Sequence, residues 1–236
     1  SNQTTLSISL YDQISNSDID SVVWFENLDG NGTFGPKQII SINVSSPRSV
    51  FADDIDGDGD TDVISASLVD GKVAWYRNLD GNGNFSDQIV VVSVASAKHV
   101  ILADLDGDND KDIVFTKDSN FGKVSWLENL DGLGNFGTEI IISSYNFDGY
   151  TSVFPIDIDG DLDFDLVFSY SSRIAWAENT DGLGTFGDTQ EITDQASQAS
   201  SVYAADFDND GDMDVVSASE NDNKIAWYEN LDGLGV

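Results

Sequence analysis

All five tryptophans of this 236-residue chain fall in one recurring phrase, and that recurrence limits the possible folds more than any other feature. The phrase first runs Val23-Trp24-Phe25-Glu26-Asn27-Leu28-Asp29-Gly30, and it returns at Trp75, Trp126, Trp176 and Trp227. Successive tryptophans are 51, 51, 50 and 51 residues apart. A Gly-x-Phe-Gly element follows, as in Gly32-Thr33-Phe34-Gly35 and Gly134-Asn135-Phe136-Gly137. An aspartate-rich run begins at Asp54, Asp104, Asp157 and Asp206, each followed by a β-type run such as Asp62-Val63-Ile64-Ser65-Ala66-Ser67. Three landmarks in fixed order at one period define a repeat architecture.

Each unit reads as four short strands, exemplified by Ser49–Ala52, Val63–Ala66, Lys72–Tyr76 and Gln88–Val92. Gly, Asn and Asp clusters punctuate them, and no segment keeps a 3.6-residue apolar period over ten residues. In the tryptophan strand Val73 and Trp75 point one way while Ala74 and Tyr76 point the other, so both faces are apolar. A four-stranded unit that must bury both faces predicts an all-β fold: a β-propeller of about five repeats of ~51 residues. The units are approximately 1–45, 46–96, 97–147, 148–197 and 198–236, taken as one domain. The N-terminus enters at the second strand of a unit through a longer hairpin, and the C-terminus stops just past a tryptophan strand, giving about 18 strands. Two arrangements stay open: five repeats in one ring, which is favoured, or a piece of a larger ring, for which self-association is an expected partner.

The four aspartate runs are Asp54, Asp56, Asp58, Asp60 and Asp62; Asp104, Asp106, Asp108, Asp110 and Asp112; Asp157, Asp159, Asp161, Asp163 and Asp165; and Asp206, Asp208, Asp210, Asp212 and Asp214. Five carboxylates at alternate positions over nine residues repel one another unless a cation joins them. Ca²⁺, which takes 6–8 oxygens at about 2.3–2.6 Å, matches that donor set, so up to four ions are expected, one per loop. Side chains at positions 1, 3, 5 and 9 and the backbone carbonyl of position 7 are the expected ligands. Position 6 must turn sharply, which suits Gly59, Gly211 and Asn109 but not Leu162, so the Asp157–Asp165 loop is expected to bind most weakly or to turn differently. An EF-hand would need Glu at the twelfth position, where Ser65, Phe115, Phe168 and Ser217 stand. A calcium β-helix would need the run every nine residues. The bland alternative, a solvated acidic surface loop, does not account for four matching copies.

These loops, with the Phe-Gly element, resemble the FG-GAP/VCBS repeats of integrin α-subunit propellers and of many secreted bacterial proteins. The resemblance spans nearly the whole chain. It implies a propeller with calcium in the hairpin loop between the first two strands of a blade, where the strand reading puts the aspartates. The units are shorter and fewer than in integrins, which leaves blade number and any integrin-like ligand face open.

Composition narrows the function classes. Ten Lys+Arg against 43 Asp+Glu give a formal charge of −33, which disfavours nucleic acid and anionic membrane surfaces. No apolar run is long enough to span a membrane. Without cysteine there are no disulfides, thiol nucleophiles or zinc ribbons, and the lone His99, read as a surface or blade-edge residue, makes a Ser-His-Asp site improbable. The tryptophans, at one place in a two-faced strand, are expected in the core rather than stacked on sugars. The Leu-Asp-Gly-x-Gly-x-Phe loops are read as tight turns ending in a buried Phe rather than as metal sites. Phosphate cradling lacks a following Lys-Ser/Thr. Arg48 and Lys98, just before two first strands, are read as offsetting nearby carboxylates. Sequons stand at Asn2, Asn31, Asn43 and Asn84. Ser1-Asn2-Gln3 opens the chain without Met or signal peptide, so it reads as a processed or excised form.

The expected function is a calcium-binding, extracellular or cell-surface module for adhesion or for protein or glycan recognition, with no catalytic residues. The alternatives are a structural segment or accessory domain of a larger secreted protein and, less favoured, a glycosidase or lyase using paired carboxylates. Twenty of the 43 acids lie in the calcium loops, and the remainder form no unique cluster.

Overall fold

The computed structural model describes residues 4–9, 20–118, 122–145 and 149–235. The Asn2 sequon and the turn of the long N-terminal hairpin lie outside them. All regular structure among these residues is β, in 18 strands. The chain groups into two compact units, Ser1–Val100 and Ile101–Val236.

The first unit holds two antiparallel sheets. In one, β1 (Thr4–Ser9), β2 (Ser21–Glu26) and β3 (Gln38–Ser41) lie in chain order. In the other, β4 (Pro47–Asp53), β5 (Asp62–Ser67), β6 (Lys72–Tyr76) and β7 (Ile89–Ser93) do the same. The unit boundary falls inside β8 (Ala97–Ala103). The second unit continues with β9 (Asp112–Lys117), β10 (Gly122–Leu127) and β11 (Ile140–Tyr145) paired beyond β8. Next comes a four-stranded sheet of β12 (Tyr150–Ile156), β13 (Asp165–Tyr170), β14 (Arg173–Ala177) and β15 (Gln190–Thr193). A three-stranded sheet of β16 (Ala199–Ala205), β17 (Asp214–Ser219) and β18 (Lys224–Tyr228) completes it. These meandering sheets are the blades expected of a β-propeller, and β1 pairs with the tryptophan strand β2 as a second strand would.

The repeat extends to the irregularities. The third and fourth strands slip register at Val22/Val23, Val73/Ala74, Val124/Ser125 and Ile174/Ala175, always just before the tryptophan. A bulge of this kind adds local twist. The tryptophan strand is buried on both faces: Val73, Ala74 and Tyr76 are 0 % exposed and Trp75 is 5 %. Trp24, Trp126 and Trp176 are buried as well.

The fifth tryptophan departs from expectation. Trp227 is 50 % exposed. The others show why. The glycine closing the next repeat's Leu-Asp-Gly-x-Gly loop presses on the indole: Gly83 on Trp24, Gly184 on Trp126 and Gly235 on Trp176. Among the described residues no glycine is placed against Trp227 in this way. The same logic corrects the buried Phe. Phe85 packs edge-on against Trp24, ring centroids 6.4 Å apart, and joins a core of Val22, Val44, Val63, Ala74 and Tyr76. Phe136 and Phe186 are half-buried, whereas Phe34, with no tryptophan against it among the described residues, is 49 % exposed. His99 lies half-buried on β8, and desolvation lowers its pKa to about 4.

Candidate metal centres

Each aspartate run is the hairpin between the first two strands of a blade, as between β4 and β5. Position 1 organises it. Asp54 accepts the N–H of Gly57 and of Gly59, both at 2.8 Å. Asp104 does the same for Gly107 and Asn109, Asp157 for Gly160 and Leu162, and Asp206 for Asn209 and Gly211. Those amides converge only if positions 4 and 6 turn left-handed. Position 6 does so at Gly59 (φ 88°), Asn109 (73°), Leu162 (80°) and Gly211 (104°). Leu162 therefore makes the same turn as the others, carrying the steric cost of positive φ, and its side chain is 91 % exposed. Position 4, which the sequence reading passed over, is left-handed too, at Gly57, Gly107, Gly160 and Asn209.

Carboxylate oxygens converge in all four loops. Asp54, Asp56 and Asp58 each place one within 4.8 Å of the others, as do Asp104, Asp106 and Asp108, and Asp206, Asp208 and Asp210. In the third loop the group is Asp157, Asp159 and Asp165. Each of these groups could hold a metal ion. The local chemistry fits a cation: Asp56 is 4 % exposed, and its Oδ1 has no hydrogen-bond partner among the described residues. Burial, reinforced by neighbouring carboxylates, raises the pKa values of Asp106, Asp159 and Asp208. Asp163 at position 7 is pushed up to about 6, by burial first and by Asp161 next.

Position 9 has a second job. Asp62, Asp112 and Asp165 are 0 % exposed and Asp214 is 1 %. One oxygen of each accepts the N–H of position 2 and the other accepts the N–H of an asparagine beyond the tryptophan strand. For Asp112 the partners are Leu105 and Asn129, both at 2.9 Å. Desolvation raises Asp62 to about 6 and Asp112 and Asp165 to about 7. Position 7 differs again. Asp60, Asp110, Asp163 and Asp212 lie under Gly81, Gly132, Gly182 and Gly233, whose missing Cβ atoms leave them room.

The asparagines Asn78, Asn129, Asn179 and Asn230 were unassigned by sequence reasoning, although they recur in the tryptophan phrase. Asn179 donates Nδ2–H to the Leu105 carbonyl at 2.8 Å and accepts Gly184 N–H at 3.1 Å. Asn230 likewise reaches the Ile158 carbonyl at 2.9 Å and accepts Gly235 N–H. In the second unit, then, Asn179 and Asn230 each tie their own glycine loop to position 2 of the preceding blade's aspartate loop. The Leu-Asp-Gly-x-Gly aspartates act within their turns: Asp29 accepts from Asn31 N–H at 2.8 Å and from the Thr33 hydroxyl at 2.7 Å. Arg77, also unremarked in the sequence, pairs through Nε with Asp56 at 2.5 Å and through Nη2 with Asp58 at 2.9 Å.

Solved structures share this fold at low identity. A lectin of Agrocybe aegerita recognising non-reducing terminal N-acetylglucosamine superposes with a TM-score of 0.64 at 19% identity, over 100% of this chain and 65% of its own. An auxiliary nutrient binding protein from Bacteroides ovatus gives 0.58 at 12% identity, over 95% of this chain and 58% of its own. The nidogen/laminin complex gives 0.54 at 12%, over 92% and 75%. The V. cholerae biofilm matrix protein Bap1 gives 0.51 at 19%, over 91% of this chain but 32% of its own. The chain thus spans less than two thirds of three of these four proteins. No curated protein matches it in sequence. The FG-GAP-like repeat matches three times, at residues 54–115, 104–168 and 157–217, each match running from one aspartate loop through the next. Those matches cover more than half of the sequence and contain all four loops, so the chain belongs to the FG-GAP-like repeat family.

Proposed function

We propose that the chain is a calcium-stabilised, non-catalytic binding module that works outside the cell in adhesion or in protein or glycan recognition. The observation that carries this reading is the convergence of three carboxylates in each of four loops, with a buried, unpartnered oxygen on Asp56. A hard cation with many oxygen ligands suits such a loop, and millimolar extracellular calcium suits modest-affinity sites. Positions 1, 3, 5 and 9 and the carbonyl of position 7 are the proposed ligands. Four ions would add +8 and take the formal charge from −33 to −25. On backbone strain alone Asp157–Asp165 is the weakest of the four loops, because Leu162 must hold a φ of 80° to form it.

The test is thermal unfolding in calcium, in magnesium and in EDTA, with bound metal counted per chain. A large rise in Tm with calcium, three or four ions bound and little response to magnesium is the expected result. No shift and no bound metal refutes it. The lectin and the nidogen/laminin complex among the structural relatives support a glycan or protein ligand, to be sought by glycan array and pull-down. A second reading, a structural segment or accessory domain of a larger secreted protein, is favoured by the 32% of Bap1 that the chain spans. Failure of every ligand screen with calcium-loaded protein would favour it.

A further inference from the structure

The aspartate loops differ in one neighbour. Two residues past the tryptophan stands Glu26, Glu128, Glu178 or Glu229, but in the second repeat the residue is Arg77. Its guanidinium engages Asp56 and Asp58, two of the three carboxylates that converge in the Asp54–Asp62 loop. Asp56 is almost wholly buried, with one oxygen on Arg77 and the other without a hydrogen-bond partner among the described residues. The equivalent glutamates act in the opposite sense: Glu128 and Glu178 lie near enough to Asp106 and Asp159 to raise the cost of their ionisation.

We propose that Arg77 is a tethered cation for the Asp54–Asp62 loop, ordering it without metal and competing with a divalent ion for Asp56 and Asp58. Three carboxylates with one guanidinium carry a net −2, against −4 for Asp104, Asp106 and Asp108 with Glu128. A site with two fewer negative charges, already occupied by a cationic group, binds calcium more weakly. The Arg77 side chain is 44 % exposed, so it can swing into water when an ion enters, and the loop then loads last. A chain of this kind keeps one loop folded when calcium is scarce.

This inference rests on the calcium reading above, and the experiment separates the two. Arg77→Glu restores the residue of the other repeats, Arg77→Gln removes only the charge, and Lys37→Glu changes net charge at an exposed residue elsewhere. Full-length chains are compared by counting bound calcium at limiting free ion and by Tm in EDTA and in calcium. In Arg77→Glu one additional tight ion is expected per chain, with the calcium midpoint of that loop tightened about tenfold. In EDTA both Arg77 variants should melt below the parent, and calcium should close the gap; Lys37→Glu should do neither. Equal ion counts and midpoints in parent and Arg77→Glu overturn the inference while leaving the calcium reading intact. If the parent binds no calcium, the calcium reading falls, and an Arg77→Glu chain that calcium fails to restore overturns this inference with it.

Discussion

Alanine at Gly83 probes the contact by which one repeat closes on the tryptophan of the repeat before it. A Cβ there would lie 2.2 Å from Trp24 Cζ2 and 2.7 Å from Cη2. Carbon atoms rest at about 3.5–4.0 Å, so the indole would have to retreat by about 1 Å. It has little room to do so, being 6 % exposed and in edge contact with Phe85. Overpacking of this kind costs about 1–3 kcal/mol. Gly83 also has a φ of 86°, which adds about 1–2 kcal/mol for any L-residue. The total is about 2–5 kcal/mol. Gly32 supplies the internal control, since it closes the same kind of loop in the same unit at φ 95°, with no atom of the described residues within 4 Å of its notional Cβ. Gly32→Ala should therefore cost only the backbone part, about 1–2 kcal/mol. Urea unfolding in saturating calcium, followed by tryptophan fluorescence, measures both variants against the parent. A Gly83→Ala loss no larger than that of Gly32→Ala would refute the packing argument.

Asp112→Ala leaves two buried N–H groups, those of Leu105 and Asn129, without acceptors and should cost about 2–5 kcal/mol in urea unfolding, with Asp112→Asn costing less in EDTA because no buried charge remains. Leu162→Gly removes a side chain that is 91 % exposed and relieves a φ of 80°, so urea unfolding should show a gain of about 1 kcal/mol. The pH dependence should change sign with metal. Burial raises Asp62, Asp112 and Asp165 to about 6–7 when folded, above the 3.8 of an exposed aspartate, so the folded state takes up their protons first and metal-free Tm should rise as pH falls from 8 towards 5. His99, lowered from 6.5 to about 4, opposes this below pH 6.5, but one imidazole is outweighed by three carboxyls. In saturating calcium the slope should reverse, because protons then compete with the ion.

Strand order and the place of each aspartate loop were legible in the sequence because both are local. Apolar residues on both faces of Val73–Tyr76 specify a buried strand, and alternate aspartates bounded by Gly or Asn specify a turn. Left-handed φ at position 6 followed from the same reasoning, and even Leu162 obeys it. What stood outside the sequence reading involves partners distant along the chain. The duty of position 9 as a backbone latch depends on an asparagine 14–17 residues away. Arg77 reaches its carboxylates across 19 and 21 residues, which only the pairing of β5 with β6 brings together.

The sequence by itself determined the repeat, the all-β blade and the four acidic loops, since each follows from side-chain chemistry within about ten residues. Tertiary structure decided which copies of an identical motif are equivalent. Trp24 and Trp227 stand in the same phrase, yet one is 6 % and the other 50 % exposed, because among the described residues a glycine loop lies against only the first. The Asp54–Asp62 and Asp104–Asp112 loops share their spacing, yet one carries a guanidinium and the other faces a glutamate. Burial and charge pairing belong to the neighbours that folding brings together, and a repeat unit does not contain its own neighbours.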